Sequence, residues 1–214
     1  MSTSAAHPLD RLPSFPTEVI QSEEFDAVYH AYEACRLTMQ CTGEFAAALT
    51  LFDFCTDGIN AEKNARAASV LPLVQWRQMA GRDAGMALYH IGMSIVTVGE
   101  FVGQYPWLSS RLDGRVVKEA KIMMNERFRY WDEICHAIAH RSDFFIHPRK
   151  SQKHRITISQ GVYKKHWNRL EGRVFTHTLN GKLVACEVSQ DALDSLIEIR
   201  RKFFSAFDSA ERRD

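Results

Sequence analysis

The hydrophobic period changes once along this chain. Up to about residue 147 apolar side chains recur every three to four positions; from there to about residue 188 they alternate at period two, with Asn180-Gly181 between two alternating runs. Asn-Gly flanked this way is the strongest short-range hairpin signal, because a two-residue turn of the favoured hand needs positive φ at both positions. The chain is therefore expected to be mainly α: an antiparallel bundle of long helices with a small β-hairpin appendage near the C-terminus.

The first helix begins after Ser22. "EEFDAVYHAYEACRLTMQ" places Phe25, Val28, Tyr29, Tyr32 and Leu37 at helical spacing, and "EFAAALTLFDFC" resumes the pattern after Gly43, where a kink is expected. The turn chemistry of Asp57-Gly58 in "TDGIN" should close it. A second helix, residues 73–104, is apolar nearly all round and stops at Tyr105-Pro106. A third starts near Asp113 and stops before His147-Pro148. Three helices of about 30 residues with short connections imply the bundle. "HRITIS" and "RVFTHTLNGKLVACEVS" then supply the hairpin, over about residues 154–188. Ser189 is the expected cap of a last helix, about 190–208, whose Leu193, Leu196, Ile197, Ile199 and Phe203 form one apolar stripe. Residues 1–16, with three prolines, read as a flexible leader, and 17–214 as a single domain.

Composition narrows the class. A chain of 214 residues with 45% hydrophobic and 25% charged residues has enough apolar material for a core, which excludes disorder for most of its length. Five cysteines, an odd number without a C-x-x-C pair, suggest neither a disulfide framework nor a zinc knuckle, and point to a reducing cytoplasm. The most apolar window, "GMALYHIGMSIVTVG" (85–99), is shorter than the roughly 20 residues of a bilayer span and contains His90, so it is expected in a protein core, with no membrane role. Neither a Gly-rich phosphate loop nor a G-x-S-x-G elbow, H-E-x-x-H or dinucleotide fingerprint is present, and no cofactor is implied.

The third helix carries the densest chemistry, in "RYWDEICHAIAHRSDFFIH" (129–147). At 100° per residue Asp132, Glu133, His136, His140, Asp143 and His147 fall within about 60° of Arg129, while Trp131, Ile134, Cys135, Ile138 and Phe145 lie opposite. Such a stripe is either a solvated face or a site. Two histidines one turn apart, each costing helix propensity, favour a site over the Lys and Glu of an ordinary wet face. Asp132, His136 and His140 cannot all bind one metal, since i and i+8 are about 12 Å apart along the axis; only a His136/His140 pair with ligands from another helix could, and no metal site is expected. Acid/base chemistry on a phosphodiester needs a neutral imidazole and a fixed cation, and His136 and Arg129 offer both.

An arginine, four to six residues and a histidine near the end of a long bundle helix resembles the signature of the HEPN superfamily, helical domains common among prokaryotic ribonuclease toxins and abortive-infection proteins. Arg129-YWDEIC-His136 matches that spacing, and "AIAHRS" (137–142) looks like the segment that follows the arginine in many members. In the other register, with His140 as the family histidine, the arginine slots hold Glu133, Ile134 and Cys135. Tyr130 also replaces the small polar residue usual after the arginine. The resemblance implies metal-independent RNA cleavage at a dimer interface, in phage defence or a toxin system, with His136 or His140 as acid/base and Arg129 steadying the phosphate. The other reading is a non-catalytic helical dimer that binds a partner protein or nucleic acid.

Three further features bear on these readings. Arg82 and Asp83 sit in an apolar stretch of the second helix, where unpaired charges would be expensive; with His90, seven residues on from Asp83, they read as a register-fixing polar cluster or as partners that orient the third-helix histidines. Residues 149–173 hold eight basic residues against one acid, Glu171. Lys164, Lys165 and Arg169 with Trp167 among them form the expected RNA or phosphate-ligand contact, cations and stacking rings being what single strands use. Finally, Trp76, Trp107 and Trp131 offer large apolar surfaces for isologous pairing into a homodimer.

Overall fold

A computed structural model describes residues 10–16, 23–62, 67–139, 152, 154–159, 162–164, 166 and 169–207. The chain is mainly α. Among the described residues its helices are α1 (Phe25–Ala61), α2 (Ala67–Gln104), α3 (Pro106–Arg111), α4 (Gly114–Arg127), α5 (Ile134–Ala139) and α6 (Gln190–Ser205), with a 3-10 turn, Trp131–Glu133, leading into α5. The strands are β1 (Ile156–Ser159), β2 (Val162–Lys164), β3 (Arg169–Glu171), β4 (Val174–Leu179) and β5 (Lys182–Glu187). Two compact units share them: Met1–Cys41, His90–Arg127 and Ser195–Asp214 form the first, Thr42–Tyr89 and Phe128–Asp194 the second.

The first unit buries Val28, Ala31 and Cys35 of α1, Ile91, Ile95 and Val98 of α2, Val117, Ala120 and Met124 of α4, and Leu196, Ile199 and Phe203 of α6. These lie at the spacing that gives each helix one apolar face. Tyr105-Pro106 ends α2 as expected, and Pro106 opens α3 with its first-turn amides partly satisfied by Glu24, whose Oε2 accepts from the Trp107 amide at 3.0 Å. Ser189 caps α6: its Oγ accepts from the Ala192 amide at 3.2 Å. Within the segment read as a leader, residues 10–16 are held in this unit by Asp10, which bonds Arg200 and Arg201, and by Phe15, which packs on Tyr32.

In the second unit the expected hairpin is present. Leu179 pairs with Lys182, leaving Asn180 and Gly181 as a two-residue turn at φ 49° and 78°. The β region is larger than one hairpin: β3 adds to β4 through a turn at Gly172 (φ 59°), giving the antiparallel order β3-β4-β5, and β1 pairs with β2 in a separate ribbon. Strands three residues long carry too little alternation to be read in sequence. Phe175, Leu179, Val184 and Cys186 are buried on one face of the sheet, and α5 packs against β4 and β5. Helix α2 approaches closely because it offers glycine there. A Cβ at Gly81 would lie 3.2 Å from the Phe175 ring, and one at Gly85 3.0 Å from Ile134.

Three helix boundaries differ from expectation. Helix α1 runs through Gly43 and through Asp57-Gly58 to Ala61; the buried Phe52 and Cys55 hold the helical period there, and Gly58 admits Leu73, whose Cδ1 would lie 2.9 Å from an added Cβ. Tertiary packing overrides the local turn preference. The third long helix is broken: α4 ends at Arg127, Tyr130 is left-handed (φ 62°, ψ 27°), and the chain restarts through the 3-10 turn. Helix α2 also begins earlier than expected, carrying Pro72 inside it, and over Val70–Gln104 it has the length and apolar content of a bilayer span, which the shorter sequence window had not reached. Its Ala80, Ala84, Leu88, Ile91, Ile95 and Val98 are buried in the protein, whereas Leu71, Trp76, Met79 and Met93 are exposed.

Candidate functional site

The break after α4 builds a cluster that a continuous helix could not. Left-handed backbone costs a tyrosine about 1–2 kcal/mol, so something must hold it. On either side Phe128 and Trp131 are buried, fixing the chain before and after the turn. Two cations meet Tyr130 itself: the Arg129 guanidinium lies 4.7 Å from the ring centroid and the Lys182 ammonium 5.0 Å. Arg129 also donates from Nη2 to the Tyr130 hydroxyl at 2.8 Å. Cation over ring is attractive, and here two such contacts meet on one side chain.

Lys182 comes to this place through the hairpin. It opens β5 opposite Leu179, a buried residue of β4, so its side chain leaves the sheet on the face that α5 covers. There it forms a short ion pair with Glu133. The hydrogen bond to Glu133 holds the Lys182 pKa above the ordinary lysine value, against slight desolvation, and the charges of Glu133, Tyr130 and Asp132 add to it. The hairpin is itself braced: the Asn180 amide donates to buried His154 Nδ1 at 3.2 Å, and the Thr178 amide donates to the His166 carbonyl at 2.7 Å.

Arg129, then, lies in the turn and not on one continuous helix with His136, which corrects the stripe expected from residue 129 at its N-terminal end. His136 is on α5, exposed, one turn beyond Asp132. His140 and the rest of the stripe lie outside the described residues, as do Lys165 and Trp167. Lys164 pairs through its backbone with Ile156. Arg169, on β3, is exposed and bonded to Glu171 at 2.9 Å. Arg82 and Asp83 pair with each other at 3.0 Å on the surface of α2, so the cost expected for charges in an apolar helix does not arise. His90, half-buried, has its carbonyl bonded by Ser94 Oγ at 2.9 Å. Among the described residues no group of three histidine, cysteine or acidic side chains is placed to hold a metal ion.

Tyr130 and Lys182 were not singled out from sequence. Lys182 was within reach, since Asn-Gly fixes the register that pairs it with Leu179; Tyr130 was not, since tyrosine gives no turn signal. Together Arg129, Tyr130 and Lys182 offer a ring with two cations over it, one of them paired with Glu133, a combination that suits a phosphate beside a base. No protein-family model matches the chain, nor does any curated protein or solved structure.

Proposed function

We propose that the chain acts on RNA as a HEPN-like protein, with Arg129, Tyr130 and Lys182 holding the nucleotide and His136 moving the proton. The observation that carries this reading is the pair of cations set over the half-buried Tyr130 ring, at 4.7 and 5.0 Å from its centroid. A backbone phosphate would meet the charges, and an unstacked base the ring. In its neutral form His136 takes the proton from a ribose 2′-hydroxyl as that oxygen attacks the adjacent phosphorus. The P–O5′ bond breaks, leaving a 2′,3′-cyclic phosphate; the 5′-oxygen departs with a proton from water, His136 returns its own to solvent, and Arg129 steadies the charge that builds on the phosphoryl oxygens. This route needs no metal. On the same resemblance the protein works in the cytoplasm as a homodimer, in phage defence or a toxin system.

A second reading keeps the binding and drops the chemistry. It is favoured by the break at Tyr130, which takes Arg129 off the helix that carries His136 and ties its Nη2 to the tyrosine hydroxyl. The same surface then binds RNA or a partner protein without cleaving.

Purified protein in EDTA is expected to cut single-stranded RNA. His136→Ala should lower the rate by about 100-fold or more, the usual scale of a lost acid/base, with RNA affinity and melting temperature retained because the side chain is exposed. Binding without cleavage by the unaltered protein selects the second reading. Absence of RNA binding near 0.1 M salt removes RNA from both.

A further inference from the structure

The first unit contains a pocket unrelated to the Tyr130 cluster. Its outer wall is the segment 10–16, anchored where the Asp10 carboxylate accepts from Arg200 Nη2 at 2.6 Å and from Arg201 Nη2 at 2.8 Å. Its inner wall is α1, where Phe25, Tyr29, Tyr32 and Arg36 recur at i, i+4, i+7 and i+11 and so share a face. Phe15 stands edge-on to Tyr32 at 5.4 Å and to Phe25 at 6.1 Å, and Phe25 stacks on Tyr29 at 6.0 Å. The open pocket between these walls is about 460 Å³, within the range of small-molecule sites. Tyr29 is nonetheless 45% exposed, a large ring left partly uncovered at the mouth.

The mouth has a polarity that discriminates. Arg36 Nε lies 3.2 and 2.9 Å from the two Glu33 oxygens, and Nη2 lies 2.7 Å from one of them. Those bonds use the Nε hydrogen and a single Nη2 hydrogen of the guanidinium's five, and they engage both carboxylate oxygens. The Arg36 side chain is 61% exposed against 35% for Glu33. What the mouth offers at its more exposed side is therefore the remaining N–H donors of a guanidinium paired with Glu33, above aromatic walls, with one lone-pair site of the carboxylate behind them.

We infer that this pocket is a small-molecule site for a planar aromatic acid, its ring against Tyr29 and Phe15 and its anionic group on the outer edge of Arg36. Glu33 holds the guanidinium in place and so orients that edge. The planar fork of arginine suits a carboxylate or sulfonate in a way a lysine would not.

The test uses the full chain and 1-anilinonaphthalene-8-sulfonate as the aromatic anion, followed by its fluorescence. The expected result is saturation at a single dye per chain. Arg36→Gln should weaken that binding about tenfold or more, the loss expected for one charge-assisted hydrogen bond. The neutral dye N-phenyl-1-naphthylamine should bind the variant and the unaltered chain alike. Tyr29→Ala should weaken both dyes, and unchanged melting curves for the exposed Arg36→Gln variant separate loss of a contact from loss of the fold. Equal sulfonate binding by Arg36→Gln overturns the inference, as does binding that Tyr29→Ala leaves untouched. Displacement of the sulfonate by phenyltrimethylammonium at comparable concentration also overturns it, since that outcome makes the pocket a cation cage centred on Glu33.

Discussion

A single carboxylate, Asp10, meets two arginines that lie about 190 residues further along the chain. Arg200 is buried, with 10% of its side chain exposed, so removal of the acid leaves a cation in a poor environment. The Arg201 hydrogen bond, helped by both arginine charges and opposed by partial desolvation, holds the Asp10 pKa below the usual aspartate value of 3.8. A carboxyl depressed on folding contributes stability that is complete above the unfolded pKa and is lost as pH falls through the folded one. Asp10→Asn is accordingly expected to cost about 1 kcal/mol at pH 7, a modest figure because the aspartate is itself partly solvated. In urea melts across a pH series the gap between variant and parent should close below about pH 4; a gap independent of pH would show that the charge contributes nothing. None of this was legible in sequence, where three prolines and no hydrophobic period made residues 1–16 read as a leader. Tyr130 was illegible for a related reason. Its left-handed backbone is held by Lys182, a partner 52 positions away in sequence, and nothing about a tyrosine announces a turn.

Elements were legible where local and global preferences agree. Asn180-Gly181 is such a place, as are the Pro106 start of α3 and the Ser189 cap of α6, because each signal acts within a few residues of itself. Asp57-Gly58 has turn chemistry but lies in a stretch whose neighbours pack as helix, and the packing prevails. The same contrast gives a paired prediction from two glycines in long helices. Gly43 in α1 is exposed, and an added Cβ would meet nothing within 4 Å, so Gly43→Ala should stabilise by up to about 1 kcal/mol through helix propensity alone. Gly85 in α2 is buried with Ile134 Cγ2 at 3.0 Å from the Cβ position, so Gly85→Val should destabilise by about 1–3 kcal/mol through overpacking. Chemical denaturation of the two variants should move the midpoint in opposite directions. A stabilising Gly85→Val would mean that α2 and α5 are not held at the close approach that positions His136.

At the scale of the whole molecule the open matter is association. Of the three tryptophans expected to offer apolar surface, Trp131 is buried in the second unit, and Trp107 is half-buried with the Arg111 guanidinium 5.4 Å from its ring, so each offers less surface than Trp76. Trp76 remains, 46% exposed on α2, with Met79 equally exposed one turn on and the Arg82–Asp83 pair beyond it. Two-fold pairing brings a patch against itself, so a patch that carries both a cation and an anion beside an apolar centre can exchange its ion pairs across the axis. Sedimentation at micromolar concentration is expected to show a species near twice 24.5 kDa. Trp76→Glu with Met79→Glu should shift it to the single-chain mass without lowering the melting temperature of the dilute protein, because both side chains are at the surface. A single-chain mass for the unaltered protein removes the homodimer from both readings of function. A dimer indifferent to the double substitution moves the interface elsewhere and leaves the RNA surface at Tyr130 to be judged by binding alone.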